Sequence, residues 1–419
     1  MTYSEETLDF LAKGDFTKAN ETLELALKKD EDDMLYSLAE ELYSLGFSEM
    51  AAKCYQTLIK RYPDEDNLKT ALAEIKIGEG KDDQALDILS KITPDSNAYI
   101  ESLLVSADLY QTQGAFDVSE QKLLTAYQLA PDEPVIEFAL AELYFNIKEY
   151  RKAAKFYRSL LKQGILDFSR VNLVARLGVS YAGYGKFETA LGYLEQIPEE
   201  QLDNDTLFQL AFTKRELGDL EGAASDFEKL REKSPDYATL YPYLADIYEQ
   251  EGQFAKALIT AKEGLAVDEF NEGLYQKASQ LAAKLGDSDE AIKYLKDALE
   301  LDPSNLTLVL ELSNQLLLAK RDEENIDLIK EYLSNDEVDP QLYWNLGRSY
   351  VALDDYKNAL ENYETAMRYL DDNAEFLRDA AFFFRNAGQK EIALKLANEY
   401  LQKIPTDYEV EDLVDELSY

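Results

Sequence analysis

The 419-residue chain is predicted to be all-α, a solenoid of about twelve helical hairpins closed by a C-terminal capping helix. The first observation is a register of corner residues at Gly14, Gly46, Gly80, Gly114, Lys148, Gly185, Gly218, Gly252, Gly286, Lys320, Asp354 and Gly388. Eight of the eleven intervals are 34 residues and the others are 32, 37 and 33, which is the signature of an internal repeat. The second is that apolar residues recur at helical spacing on both sides of each corner, so every repeat reads as a helix A, a corner and a helix B. The third is composition: 46% hydrophobic and 30% charged residues suit a continuous core and not a disordered chain.

With the corner numbered 15, the pattern within each repeat is legible. Position 8 is small: Ala39, Ala73, Ala107, Ala141, Gly178, Ala211, Ala245, Ser279, Ser313, Gly347 and Ala381. Position 20 is small as well, being Ala or Ser at 19, 51, 85, 119, 153, 190, 223, 257, 291, 359 and 393. Small residues at these points let helices A and B approach closely while larger ones fill the core between them. Position 17 is aromatic at Phe16, Phe116, Tyr150, Phe187, Phe254 and Tyr356, and Pro63, Pro131, Pro235, Pro303 and Pro405 fall where helix B must stop. Small at 8, Gly at 15, aromatic at 17, Ala at 20 and Pro at 32 resemble the tetratricopeptide repeat over essentially the whole chain. The resemblance implies a right-handed superhelix whose concave groove is lined by helix A at positions 2, 5, 9, 12 and 13.

Along the chain, repeats 1 to 5 occupy residues 1–166 and repeats 6 to 12 residues 167–405. The 37-residue interval adds residues around Lys162-Gln163-Gly164-Ile165, so a hinge is expected near 162–168 within one continuous solenoid. Repeat 10 departs most, with Lys320 at the corner, Asp322 in place of an aromatic and Asn325 in place of Ala, and is expected to be locally soft. Residues 406–419 read as an acidic capping helix, with Val410, Leu413, Val414 and Leu417 on one face.

Asp plus Glu number 83 against 43 Lys plus Arg, a formal net charge of -40 and a pI of about 4.3. Such a surface repels a phosphate backbone, so neither nucleic acid nor anionic membrane is an expected partner. No signal-peptide pattern opens the chain and no 18-residue apolar run follows, which leaves the cytoplasm as the expected compartment without membrane insertion. A single cysteine, Cys54, excludes an intrachain disulfide. Histidine is absent, no phosphate loop or nucleophile motif occurs, and Cys54 has no histidine to activate it. The expectation is therefore a protein without enzymatic activity, cofactor or metal. Tyr110, Tyr144, Tyr181, Tyr248 and Tyr350 all fall at position 11 and are expected in the core.

Two surfaces are candidates for partner binding. Glu40, Glu74, Asp108 and Glu142 occupy position 9 of repeats 2 to 5, forming a row of carboxylates at one repeat spacing, with Tyr36, Tyr43, Phe138 and Phe145 beside them. Adjacent A helices lie roughly 8–10 Å apart, too far for paired-carboxylate catalysis. That pitch suits a cationic ligand carrying Lys or Arg about every third residue if extended or every seventh if helical. The alternative is a solvated acidic face. At the other end, residues 341–405 hold 8 basic and 10 acidic residues, whereas residues 1–150 hold 13 and 31. Trp344, Arg348, Arg378, Phe382 and Arg385 fall there at inner positions and form either a hot-spot patch or internal cation-π pairs, Arg378 on Trp344 and Arg348 on Phe382. The Lys/Asn carboxylate clamp known in this superfamily finds no match over three consecutive repeats, Asn345 being an isolated one. The resemblance thus implies an all-repeat, cytosolic bacterial scaffold or adaptor for protein or peptide segments. A peptide-sensing receptor of the same fold is the alternative, and no oligomeric state is implied.

Overall fold

In the computed structural model residues 2–333 and 339–418 are described, and they form two compact bodies, one up to Gly218 and one from Asp219. The first contains α1 (Tyr3–Ala12), α2 (Phe16–Lys29), α3 (Asp32–Ser44), α4 (Ser48–Arg61), α5 (Asn67–Gly78), α6 (Asp82–Leu89) and α7 (Tyr99–Thr112). It continues with α8 (Phe116–Leu129), α9 (Pro134–Asn146), α10 (Tyr150–Lys162), α11 (Leu173–Gly183), α12 (Phe187–Leu194) and α13 (Asn204–Glu216). The second opens with α14 (Leu220–Lys233), α15 (Leu240–Gln250), α16 (Phe254–Val267), α17 (Glu272–Lys284), α18 (Ser288–Leu301) and α19 (Leu306–Leu318). It ends with α20 (Asp322–Leu333), α21 (Pro340–Ala352), α22 (Tyr356–Met367), α23 (Ala374–Asn386), α24 (Lys390–Lys403) and α25 (Tyr408–Ser418). The architecture is an all-α repeat solenoid, with odd-numbered helices as helix A and even-numbered ones as helix B of each repeat. Within each body an A helix packs on its own B helix and against the next A helix, as α5 does on α7 and α19 on α21.

All twelve corner residues have positive φ, including Lys148 (63°), Lys320 (56°) and Asp354 (59°), where a side chain must tolerate the left-handed region. The hydrogen bonds explain why the position is fixed. The Gly14 N–H donates to the Leu11 carbonyl at 3.0 Å and the Asp15 N–H to the Phe10 carbonyl at 2.9 Å. The same pair recurs at Gly114 and Ala115, and at Lys320 and Arg321. These are Schellman caps, which satisfy the last carbonyls of helix A only if the corner residue is left-handed. The chain leaves the cap directly into helix B, where Asp15, Asp219, Asp287 and Asp355 cap the first turn through their side chains. Each marker proline lies one residue beyond the C-cap of a B helix.

The residues named for position 20 are all 0% exposed, and those at position 8 are buried as well. Where repeat 10 carries Asn325 at position 20, the side chain is also fully buried and its Nδ2 donates to Ser349 Oγ at 2.9 Å. Its Oδ1 has no partner among the described residues, a polar group at the seam where the other repeats place a methyl. Of the position-11 tyrosines, Tyr144, Tyr248 and Tyr350 are buried as expected, whereas Tyr110 and Tyr181 are half-buried. Tyr144 and Tyr248 direct their hydroxyls to Glu120 and Glu228 on the preceding B helices, with Lys152 and Lys256 placed over the rings.

The extra residues between repeats 5 and 6 form a small antiparallel β-hairpin, β1 (Asp167–Phe168) and β2 (Val171–Asn172), with Asp167 opposite Asn172 and Phe168 opposite Val171. Ser169 and Arg170 make its two-residue turn with φ of 47° and 67°, the geometry of a type I′ hairpin. Lys162–Asp167 and this hairpin lie inside the first body, with α10 packed on α11. At the C-terminus α25 buries Val410, Leu413 and Leu417 against α24, as a capping helix should.

Two outcomes test this packing. Lys148→Gly is expected to stabilise its repeat by roughly 0.5–1 kcal/mol because the left-handed corner strains a side chain, whereas Gly46→Lys should cost about as much. Amide exchange around each corner reads the difference, and equal protection in both variants contradicts it. A Cβ at Gly347 would meet Tyr363 Cδ2 at 2.8 Å, whereas one at Gly192 would meet nothing within 4 Å. Gly347→Ala is therefore expected to destabilise by about 1–3 kcal/mol and Gly192→Ala to stabilise by about 0.5–1 kcal/mol in urea unfolding.

Candidate partner-binding groove

The A helices of repeats 2 to 4 are held side by side by the buried contacts at positions 8 and 20, which leaves positions 2, 5, 9 and 12 facing outward. On α3, α5 and α7 these positions carry Tyr36, Glu40, Tyr43, Asn67, Glu74 and Glu101. Together with Tyr55 from α4 they line a cleft of about 420 Å³. Tyr36 and Tyr43 are each 40% exposed at its edge. Tyr55 is only 4% exposed, its ring set edge-on to Tyr36 at 6.1 Å, and its hydroxyl has no hydrogen-bond partner among the described residues. No Lys or Arg lines the cleft.

The charges here are uncompensated, and the titrating groups register it. Hydrogen bonding to Glu40, then desolvation, raises the Tyr36 hydroxyl above the usual tyrosine range. Burial, with Tyr36, Glu40 and Glu74 nearby, pushes Tyr55 up as well. Desolvation, reinforced by the charge of Glu101, raises the Glu74 carboxyl above the ordinary carboxylate range. Of these causes, the negative charges of Glu40, Glu74 and Glu101 are the ones a cation in the cleft would offset, whereas desolvation disfavours any charge there. Cys54, next to Tyr55 but fully buried, has its thiol pushed up to about 12 by burial and is unreactive.

The four position-9 acids do not form one uniform row. Glu40 and Glu74 share the cleft, joined by Glu101 from position 2 of repeat 4, while Asp108 is exposed outside it. Glu142 already has its cation: Arg176 of the next repeat approaches at 3.2 Å, and the Tyr157 hydroxyl donates to the same carboxylate. Arg176 also stacks over Phe145 at 4.3 Å, and Phe138 stacks on Phe168 of the β-hairpin at 4.6 Å, so both flanking aromatics have partners within the chain.

The C-terminal residues are arranged differently from a free patch. Trp344 is 6% exposed and its Nε1 donates to Asp379 at 2.6 Å, an acceptor it shares with the buried Tyr363. Arg348 lies 5.8 Å over the Trp344 ring, and Arg378 and Arg385 lie 5.2 and 5.4 Å from Phe382. Cation-π pairs therefore form within single helices, not between Arg378 and Trp344 or Arg348 and Phe382. Arg378 further binds Asp407 at 2.8 Å and Glu409, and Arg385 binds Glu416 at 3.2 Å. The acids of α25 thus occupy two of the arginines expected to meet a partner, and Asp407 is held below the usual carboxylate range by Arg378.

Over 362 residues the chain is 37% identical to the TPR repeat-containing protein YpiA of Bacillus subtilis (strain 168), covering 85% of this chain and 84% of that protein. The chain belongs to the YpiA-like family of tetratricopeptide repeat proteins. Family models agree: YpiA-like tetratricopeptide repeats match residues 111–165 and 340–407, and general tetratricopeptide repeat models match 208–271 and 272–305. Among solved structures, the C-terminal part of a TPR repeat-containing protein from Cytophaga hutchinsonii aligns over 66% of this chain and 99% of its own, with TM-score 0.44 and 15% identity. YrrB, described as a TPR protein with an unusual peptide-binding site, aligns over 46% of this chain and 97% of its own, with TM-score 0.39 and 19% identity.

The contacts of α25 in this YpiA-like chain generate a direct expectation. Exposed ion pairs contribute roughly 0.2–1 kcal/mol each, so replacing Arg378 and Arg385 by Glu should speed amide exchange across Tyr408–Ser418 about tenfold while α21 and α22 keep their protection. Unchanged exchange in α25 would show that its apolar face alone holds it.

Proposed function

We propose that the chain is a non-enzymatic scaffold or adaptor that holds segments of partner proteins along the groove lined by its A helices, acting in the cytoplasm. The observation that supports this most is the cleft over α3, α5 and α7. It is open, it carries exposed aromatic rings, and it leaves its charges unmatched, which a surface serving only solubility does not require. Membership of a tetratricopeptide repeat family points to protein or peptide partners. Among the described residues no helix is long and apolar enough to cross a membrane. Catalysis has no support in the side chains: the sequence contains no histidine, and the Cys54 thiol is buried and raised.

Site-directed photo-crosslinking in cells that encode the protein tests this reading. A benzophenone side chain at Tyr43, at the edge of the cleft, is expected to give an adduct with a defined partner segment, and the same group at Lys53 on the outward face of α4 is not. Adducts of equal yield at both positions, or none at Tyr43, would remove the groove as the working surface.

A further inference from the structure

Resting on the groove reading above, we infer that the cleft between repeats 2 and 4 is a receptor for a lysine or arginine side chain of an extended partner segment, held by Glu40, Glu74 and Glu101 and the hydroxyl of Tyr55. Acidic residues alone are common in a chain of net charge -40 and would say little. What sets this place apart is Tyr55. The residue is only 4% exposed, it lines the cleft, and among the described residues nothing hydrogen-bonds its hydroxyl. Its ring is packed while its oxygen opens on the cleft, so it can accept from an ammonium or guanidinium that enters.

The geometry chooses among cations. Among the described residues no group of three acids is placed to hold a metal ion, whereas Glu40, Glu74 and Glu101 line one cleft. A primary ammonium or guanidinium on a flexible stem fits that space: the head reaches carboxylates on successive A helices while the methylenes lie along the exposed Tyr36 and Tyr43. The rest of the lining favours a polypeptide over a free polyamine. The Asn67 amide has no partner among the described residues and can both donate to and accept from a peptide backbone. The neighbouring A helices repeat at roughly 8–10 Å, about three residues of extended chain. Contrast with repeat 5 sharpens the assignment. There the equivalent acid, Glu142, is met by Arg176, stacked over Phe145, so the chain itself shows a guanidinium bound by a position-9 acid and an aromatic ring. In repeats 2 to 4 that cation is absent from the lining and is to come from the partner.

The test is fluorescence anisotropy of the full chain with a labelled peptide carrying lysine at every third residue, alongside the same peptide acetylated on every lysine, its glutamate counterpart, and unlabelled spermidine as competitor. The lysine peptide is expected to bind and to weaken on raising salt, with acetylation abolishing binding. Glu74→Gln and Glu101→Gln should each weaken it about threefold to tenfold and Tyr55→Phe about fivefold, whereas Glu142→Gln should leave it unchanged. Unchanged circular dichroism in these near-isosteric variants confirms that the fold is intact. Binding insensitive to all three cleft variants, or spermidine displacing the peptide at equal lysine-equivalent concentration, would overturn the proposal. Failure of every basic peptide while Tyr43 still crosslinks a partner would overturn it too, leaving the groove reading in place.

Discussion

The left-handed corner is the constraint on which the rest of the structure depends. Ending helix A in a Schellman cap satisfies its last carbonyls and turns the chain so that helix B starts two residues after the corner, antiparallel and in contact. That turn brings position 8 against the neighbourhood of position 20, and only small residues fit, which is why the named position-20 residues are all without exposure. A side chain in the left-handed region costs about 1–2 kcal/mol. The chain nevertheless accepts Lys148, Lys320 and Asp354 there. The hydrogen-bond pair of the cap and the burial it permits evidently outweigh the local strain. Sequence at the corner is thus negotiable where its conformation is not.

Because the core uses positions 8, 11 and 20, the outward positions of helix A are released from packing and can differ from repeat to repeat. The two ends of the chain use that freedom in opposite ways. At repeats 2 to 4 the outward residues are acids and tyrosines left without cations. At repeat 12 they are Arg378, Phe382 and Arg385, and the acids of α25 meet both arginines. The capping helix therefore does two things with one sequence: its apolar face covers the last repeat, and its acidic edge pairs with the arginines beside it.

This division also marks what could be read from the residues alone. Helix pairs, corners, the capping helix and the small-residue seam follow from a 34-residue register, because each depends on contacts local to one repeat. Glu40 and Glu74 were legible for the same reason, since position 9 faces outward wherever the register holds. Nothing in the sequence sets Tyr55 apart from the other aromatic residues of the B helices: its ring is buried, and the hydroxyl that reaches the cleft depends on how α4 sits beneath α3 and α5. Glu101 could have been found by extending the row to position 2. Arg176 lies more than thirty residues from Glu142, as Asp379 does from Trp344 and Glu416 from Arg385, so which charges are free is a property of inter-repeat packing. Nothing in the sequence announces the β-hairpin, because its type I′ turn is made by Ser169 and Arg170 and not by the usual Asn-Gly or Gly pair.

A net charge of -40 invites the conclusion that any basic segment would bind anywhere on this surface. Screening argues otherwise. At physiological salt the Debye length is about 8 Å, close to the spacing of adjacent A helices, so acids two or more repeats away contribute to encounter and little to the bound state. Discrimination then rests on charges close enough to act together and partly withdrawn from water. Glu74 meets both conditions, its carboxyl raised by desolvation and by Glu101, whereas Glu142, equally acidic in sequence, is already neutralised by Arg176. The overall charge attracts cations broadly, and within it the Glu74 carboxyl is set apart by desolvation and by Glu101, not by charge alone.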